Sequence, residues 1–180
     1  DYMEHTDSSN TRDRIVTAAI HLYASKGYAE TSLREIANEV GIKVSSIYNH
    51  FPSKEAILDV IFNEYSTWLR ETSPQNEDID DLIAGANLEN GMTKDILYNL
   101  MFFTFPETES SRYTKMLKIL HYEAINNEKI NTFMEYENIE SSVVFMRNMF
   151  NRLIELGHLQ PFNASIVSSL LYSIILAYVT

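Results

Sequence analysis

The chain has 180 residues, 45% of them hydrophobic, which is typical of one or two small globular domains and excludes a disordered protein. It has no cysteine, so disulfide bonds and thiolate metal sites are excluded, and we expect a reducing, cytoplasmic location. The net charge of −11 argues against a broad nucleic-acid surface, yet residues 31–54 hold three basic residues against two acidic ones. A small local contact with a polyanion is therefore compatible with the composition.

The first two predicted helices lie between residues 15 and 41. Apolar residues recur at helical spacing from Ile15 to Tyr23, and Gly27 ends this helix. Ser32 and Glu35 have the spacing of a capping box that starts a second helix, and Gly41 suits the left-handed residue that closes it.

The third and fourth predicted helices follow directly. The third covers residues 44–51 and is broken by Pro52, and the fourth begins near Lys54 and stops before Pro74. The start of the fourth helix presents free amides beside Ser53 and the Lys54 cation, which together predict an anion site.

Beyond residue 92 the chain again reads as helices, after a polar, acidic stretch over 73–92. The predicted spans are 93–106, 111–127, 128–156 and 163–180. A break near Asn138 is an open alternative for the longest span, and Gly157 is its predicted stop. The longest apolar run, 166–179, is too short and serine-rich to span a bilayer, and the polar start predicts no signal peptide.

The helices at 33–40 and 44–51, joined by a glycine-containing turn, match a helix-turn-helix unit. Spacing places Val44, Ile47 and Phe51 on the buried side of the second of these helices. The opposite side carries hydroxyl, amide and imidazole groups that suit contacts in a DNA major groove. The alternatives left open are a solvated polar face and a protein-binding face. The outward residues are Ser45, Ser46, Asn49 and His50.

The segment GYAETSLREIANEVGIKVSSIYNHFPSKEAIL, residues 27–58, resembles the DNA-binding signature of the TetR family of bacterial transcriptional regulators. The resemblance implies a homodimeric repressor that binds a palindromic double-stranded DNA operator and releases it when a C-terminal domain binds a small effector. The matching residues are Gly27, Thr31, Ser32, Ile36, Ala37, Gly41, Tyr48, Phe51, Ser53, Lys54 and Glu55.

The resemblance also implies roles for individual residues. Lys43 departs from the family pattern, where Ser or Thr is common, so it weakens the N-cap of the third helix and adds a contact. A second departure is the acidic N-terminal segment, in which only Arg12 and Arg14 are available to approach DNA. The base-edge candidates are Lys43, Ser45, Ser46 and Asn49, and the phosphate candidates are Ser32, Arg34, Tyr48, His50 and Lys54.

We therefore expect an all-α protein with a helix-turn-helix domain over 1–62, called the head below, and an effector-binding and dimerisation domain over 63–180. The last helix, with part of 139–156, is the predicted dimer surface. Methionine and aromatic residues suit an apolar effector cavity, although the same spacing is also that of a plain core. The pocket candidates are Phe102, Phe105, Met116, Leu120, His121, Phe133, Met146 and Met149.

No motif predicts an enzyme. The five histidines are scattered, which disfavours a metal site, and the chain has neither a nucleophile elbow nor a glycine-rich phosphate loop. We expect no cofactor. The rival interpretations are a helical small-molecule carrier and a protein-interaction module, each retaining a helix-turn-helix head.

Overall fold

The computed structural model describes residues 2–73, 76–86, 88 and 111–179. Within these ranges every regular element is helical, which confirms the predicted all-α class. The helix predicted over 93–106 lies outside the described residues. No described helix is long and apolar enough to cross a membrane.

The described helices run in the following order. A 3₁₀ turn covers Asn76–Asp78, and a π-helical segment covers Met134–Glu140. The α-helices are α1 Tyr2–Lys26, α2 Leu33–Val40, α3 Val44–Tyr48, α4 Lys54–Thr72, α5 Ile79–Gly85, α6 Arg112–Glu123, α7 Glu128–Phe133, α8 Ser141–Glu155 and α9 Ala164–Val179.

Helix α2 begins and ends as its sequence predicts. The Ser32 hydroxyl accepts from the Glu35 amide at 3.3 Å, and the Glu35 carboxylate accepts from the Ser32 amide at 2.8 Å. Gly41 closes the helix with φ +77°, a conformation that other residues adopt only with strain. The predicted capping box and left-handed stop are both confirmed.

Helix α3 is shorter than the predicted span of 44–51. Its regular part ends at Tyr48, and the amides of His50 and Phe51 both donate to the Ile47 carbonyl at 2.9 Å, forming a tight final turn. Pro52 disfavours helical backbone at Phe51 and has no amide to donate to the Tyr48 carbonyl, so the helix does not continue beyond this turn. The expected weak start is confirmed, because Lys43 occupies the N-cap without a side-chain capping bond.

The buried apolar residues form two cores. The first packs α1–α4 against α6 and α7, with Ile15, Ile47 and Met116 fully buried in it. The second joins α5, α8 and α9 around Met149 and Leu153. Since the first core runs from the head into α6 and α7, the boundary at residues 62 and 63 stays a prediction.

The predicted span 128–156 forms a continuous helical path with a π-helical segment inside it. At its centre lies Asn138, which is 2% exposed and donates to the Tyr65 hydroxyl of α4 at 3.2 Å. The Tyr172 hydroxyl of α9 donates to the Asn138 side-chain oxygen, also at 3.2 Å. Near Asn138, where the sequence left a break open, the helix therefore continues through a widened π-helical turn. Gly157 ends α8 with φ +78°, as predicted.

Helix α9 has one buried and one exposed apolar face. Tyr172 and Ile175 belong to the second core. Ile166, Leu170 and Ile174, four residues apart along the other face, are 57%, 58% and 65% exposed. This spacing gives a continuous apolar stripe on the outside of the described chain.

Candidate nucleic-acid interface

Helix α3 is held by its apolar side. Ile47 is fully buried, Phe51 is 2% exposed, and half-buried Val44 packs against the same core. The guanidinium of Arg12 lies over the Phe51 ring, 4.9 Å from its centroid. A five-residue helix has little stability of its own, so these contacts fix its orientation.

The opposite side of α3 is the reading face, which we define as Lys43, Ser45, Ser46, Tyr48, Asn49 and His50. Lys43, Ser45 and Asn49 are exposed, and Tyr48 is 56% exposed. Ser46 and His50 are half-buried. Within the described chain the side chains of this face make no hydrogen bond or ion pair, so their donors and acceptors are available to a ligand.

Two further phosphate candidates lie at the start of α2, one as its N-cap and one in its first turn. Arg34 is exposed at the first turn of the helix. The Ser32 hydroxyl is already engaged, since it accepts from the Glu35 amide and donates to a Glu35 carboxylate oxygen at 2.8 Å. Lys26 also pairs with Glu35. Hydrogen bonds from Lys26 and Ser32 lower the pKa of the Glu35 carboxyl to about 2.

Lys54 has a structural role that its sequence position does not reveal. Its ammonium donates to the carbonyl oxygens of Tyr28 and Thr31, at 2.8 and 3.0 Å, and approaches that of Ala29 at 3.4 Å. It also lies 4.2 Å from the centroid of the Tyr28 ring. Lys54 thereby ties the start of α4 to the loop before α2. Its assignment as a phosphate contact stays a prediction.

The start of α4 is only partly open to an anion. The Ser53 hydroxyl caps the helix by accepting from the Ala56 amide at 3.3 Å, which occupies one of the free amides. Arg14 is engaged as well, because it donates to the Val40 carbonyl at the end of α2 at 2.6 Å. The basic groups of the head therefore fix its loops and helix ends as well as supplying positive charge.

The apolar pocket candidates do not meet in one place. Met116, Leu120 and Phe133 are buried in the first core, whereas Met146 and Met149 are buried in the second. His121 is half-buried on α6, and Phe102 and Phe105 lie outside the described residues. Their assignment to an effector pocket stays a prediction.

Residues 15–61 match the family described as bacterial regulatory proteins, tetR family. The chain is 36% identical over 75 residues to the biofilm operon icaADBC negative transcriptional regulator IcaR of Staphylococcus epidermidis, a match that covers 39% of this chain and 40% of IcaR. The matches to curated relatives span between 16% and 40% of those proteins' lengths.

Solved structures resemble the chain over most of its length. The ketosteroid transcriptional regulator KstR2 of Mycobacterium tuberculosis gives a TM-score of 0.68 at 22% identity, over 93% of this chain and 81% of that one. A gamma-butyrolactone receptor gives a TM-score of 0.63 at 19% identity, over 96% of this chain and 80% of that one. At these identities the likeness establishes the fold, in which a helix-turn-helix head precedes a helical body.

Proposed function

We propose that this chain, whose residues 15–61 match the tetR family of bacterial regulatory proteins, is a ligand-responsive transcriptional regulator, a repressor released from a palindromic operator by a small effector. The observation that supports this most directly is the reading face of α3. It projects exposed hydroxyl, amide and ammonium groups from a helix whose other side is locked into the core. Such a face contacts base edges when it enters a major groove.

The reading face divides by chemistry. Asn49 supplies an amide suited to paired contacts with adenine, and Ser45 and Lys43 lie beside it toward the start of α3. We propose that Tyr48, His50 and the exposed Arg34 contact the phosphates that flank the groove. The head needs few charges for this, because most of its specificity comes from uncharged donors and acceptors.

A palindromic operator requires two heads, and we propose that a second copy of the chain covers the apolar stripe of α9. Ile166, Leu170 and Ile174 would then be buried between copies. The two α3 helices of such a dimer bind successive major grooves when they are about 34–36 Å apart.

Effector binding would favour a dimer in which the separation of the two α3 helices no longer matches that of successive major grooves. Helix α4 is the proposed link, since its first residues belong to the head, where Lys54 contacts the loop before α2, and its later residues contact the π-helical segment. A coupling free energy of about 1–3 kcal/mol would change operator affinity by a factor of about 5 to 150.

The test is binding of the full chain to the DNA upstream of its own gene, measured by fluorescence anisotropy against a scrambled duplex of equal length. We expect the upstream duplex to bind more tightly at physiological salt. Asn49→Ala should change the preferred base at one position of each half-site by about 1–3 kcal/mol. Asn151→Ala, the same change at an exposed site on α8, is the matched control and should leave base preference unchanged.

Equal affinity for the upstream and scrambled duplexes would contradict the proposal. So would an unchanged base preference in the Asn49 variant, since the exposed face of α3 would then serve another partner. In that case the protein-interaction module, with the reading face against a protein surface, becomes the better interpretation.

A further inference from the structure

A cavity of about 470 Å³ opens beside the end of α4. One wall is the last part of α4, including Leu69 and Arg70, and the other is the π-helical segment with the start of α8, including Tyr136 and Phe145. This volume lies within the range of small-molecule sites in proteins. Among the described residues, none of the apolar pocket candidates predicted from the sequence lines it.

The π-helical segment that forms this wall is fixed from behind. Its buried Asn138 bonds to the hydroxyls of Tyr65 and Tyr172, so the segment is held between α4 and α9. A π-helical turn is wider and less favourable than an α-helical one, and such turns recur at functional sites. Here the widened turn places Tyr136, Glu137 and Glu140 along the cavity.

The charges around the cavity are unbalanced. Glu137 pairs with Arg70, the two groups being 2.7 Å apart and about half exposed. Glu140 is also exposed and makes no ion pair among the described residues. Two carboxylates thus face one guanidinium, which leaves a net negative rim. The rest of the lining is apolar at Leu69, Val144 and Phe145 and polar at Ser73, Asn76, Ser141 and Ser142.

We propose that this cavity binds an amphipathic organic cation, with the apolar part against Leu69 and Phe145 and the positive centre beside Glu140 and Glu137. A cation near Glu137 competes with Arg70 for the carboxylate, so binding loosens the ion pair between α4 and the π-helical segment. That pair is exposed and contributes little by itself, which makes it easy to replace. As a regulatory site, the cavity rests on the function proposed above.

The first test uses two probes of nearly equal size and opposite charge, tetraphenylphosphonium and tetraphenylborate, titrated into the full chain by calorimetry. We expect the phosphonium to bind once per chain and more tightly than the borate. Equal affinity for the two ions, or no binding of the phosphonium, would overturn the proposal, because the apolar walls alone would then account for any uptake.

Variants locate the binding and separate charge from packing. Glu140→Gln should weaken phosphonium binding about fivefold, the scale of one solvent-exposed charge contact. Arg70→Gln should tighten it, since it removes the internal competitor for Glu137. Glu135→Gln makes the same charge change on the same segment away from the cavity, and should have no effect. Identical affinities in the Glu140 and Glu135 variants would overturn the assignment of the site.

A final measurement distinguishes failure of the site from failure of the proposed function. Operator affinity is measured with and without tetraphenylphosphonium in the wild type and in Glu140→Gln. A release of DNA that is weaker in the variant supports both proposals. Phosphonium binding that depends on Glu140 but leaves DNA affinity unchanged supports the site and overturns its regulatory role. Specific operator binding without Glu140-dependent phosphonium binding supports the regulator and overturns the site.

Discussion

Replacing Lys54 by alanine removes a cation that joins α4 to the loop before α2. In the wild type its ammonium donates to the Tyr28 and Thr31 carbonyls at 2.8 and 3.0 Å and lies 4.2 Å from the Tyr28 ring centroid. We expect Lys54→Ala to lower both the stability of the head and the affinity for DNA, since this loop positions α2 and hence the reading face.

The magnitude follows from the contacts. Hydrogen bonds to a charged donor contribute about 1.5–3 kcal/mol each, and a partly exposed cation–π contact about 0.5–1 kcal/mol. Lys54 is half-buried, its carbonyl partners regain water in the variant, and ordering a lysine side chain costs up to about 2 kcal/mol. The expected net loss is therefore about 2 kcal/mol. With an m-value of about 2 kcal/mol/M, the urea midpoint should fall by about 1 M.

The assay is urea unfolding at a fixed protein concentration, with Lys129→Ala as the matched control. Lys129 also lies over an aromatic ring, 4.4 Å from the centroid of Phe62, but its ion pair with Asp59 is more than half exposed. Its loss should cost less than about 1 kcal/mol. Equal shifts in the two variants would refute the reasoning, because the carbonyl contacts of Lys54 would then contribute nothing beyond an exposed lysine.

The salt dependence of DNA binding separates the two roles of Lys54. If its ammonium also reaches a phosphate, Lys54→Ala should lower the slope of log affinity against log salt by about one unit. A weaker affinity with an unchanged slope would instead show that Lys54 acts by positioning the loop.

Three other outcomes are expected. The pKa of Glu35 is lowered from its ordinary 4.5 to about 2, so its carboxylate stabilises the folded state above about pH 4.5. This contribution is lost as the pH falls toward 2, and the urea midpoints of wild type and Glu35→Gln should converge over that interval. Gly41→Ala should cost about 1 kcal/mol, or about 3 °C in thermal unfolding, because φ is +77°, and Gly41→Asn should cost less. Asn138→Ala should lower the free energy of unfolding, measured in urea, by about 2 kcal/mol, since two tyrosine hydroxyls lose a buried partner.

The parts of the fold that could be predicted depend on residues close together in the chain. The capping box of Ser32 and Glu35, the stop at Gly41 and the buried spine of α3 each involve only a few neighbouring positions. These features depend little on the rest of the molecule, so residue type and spacing were sufficient to predict them. The same holds for the outward direction of the reading face.

What could not be predicted depends on long-range packing. The ammonium of Lys54 turns toward carbonyls 23 to 26 positions earlier, and no local pattern specifies that direction. Apolar spacing showed that Met116 and Met146 would be buried, but not that they would lie in different cores. The position of Glu137 and Glu140 at a cavity depends on the packing of the π-helical segment against α4, which no local pattern specifies.

The contact of Asn138 with Tyr65 and Tyr172 has a mechanical consequence. Tyr65 belongs to the first core and Tyr172 to the second, so the two cores meet here through polar groups. Interlocked apolar side chains resist sliding because displacement opens voids between them. The Asn138 amide, in contrast, can keep its hydrogen bonds to the two tyrosine hydroxyls over a range of distances and angles. We expect this seam to act as a shear plane, along which α4 moves about 1–2 Å and carries α3 with it as a rigid unit.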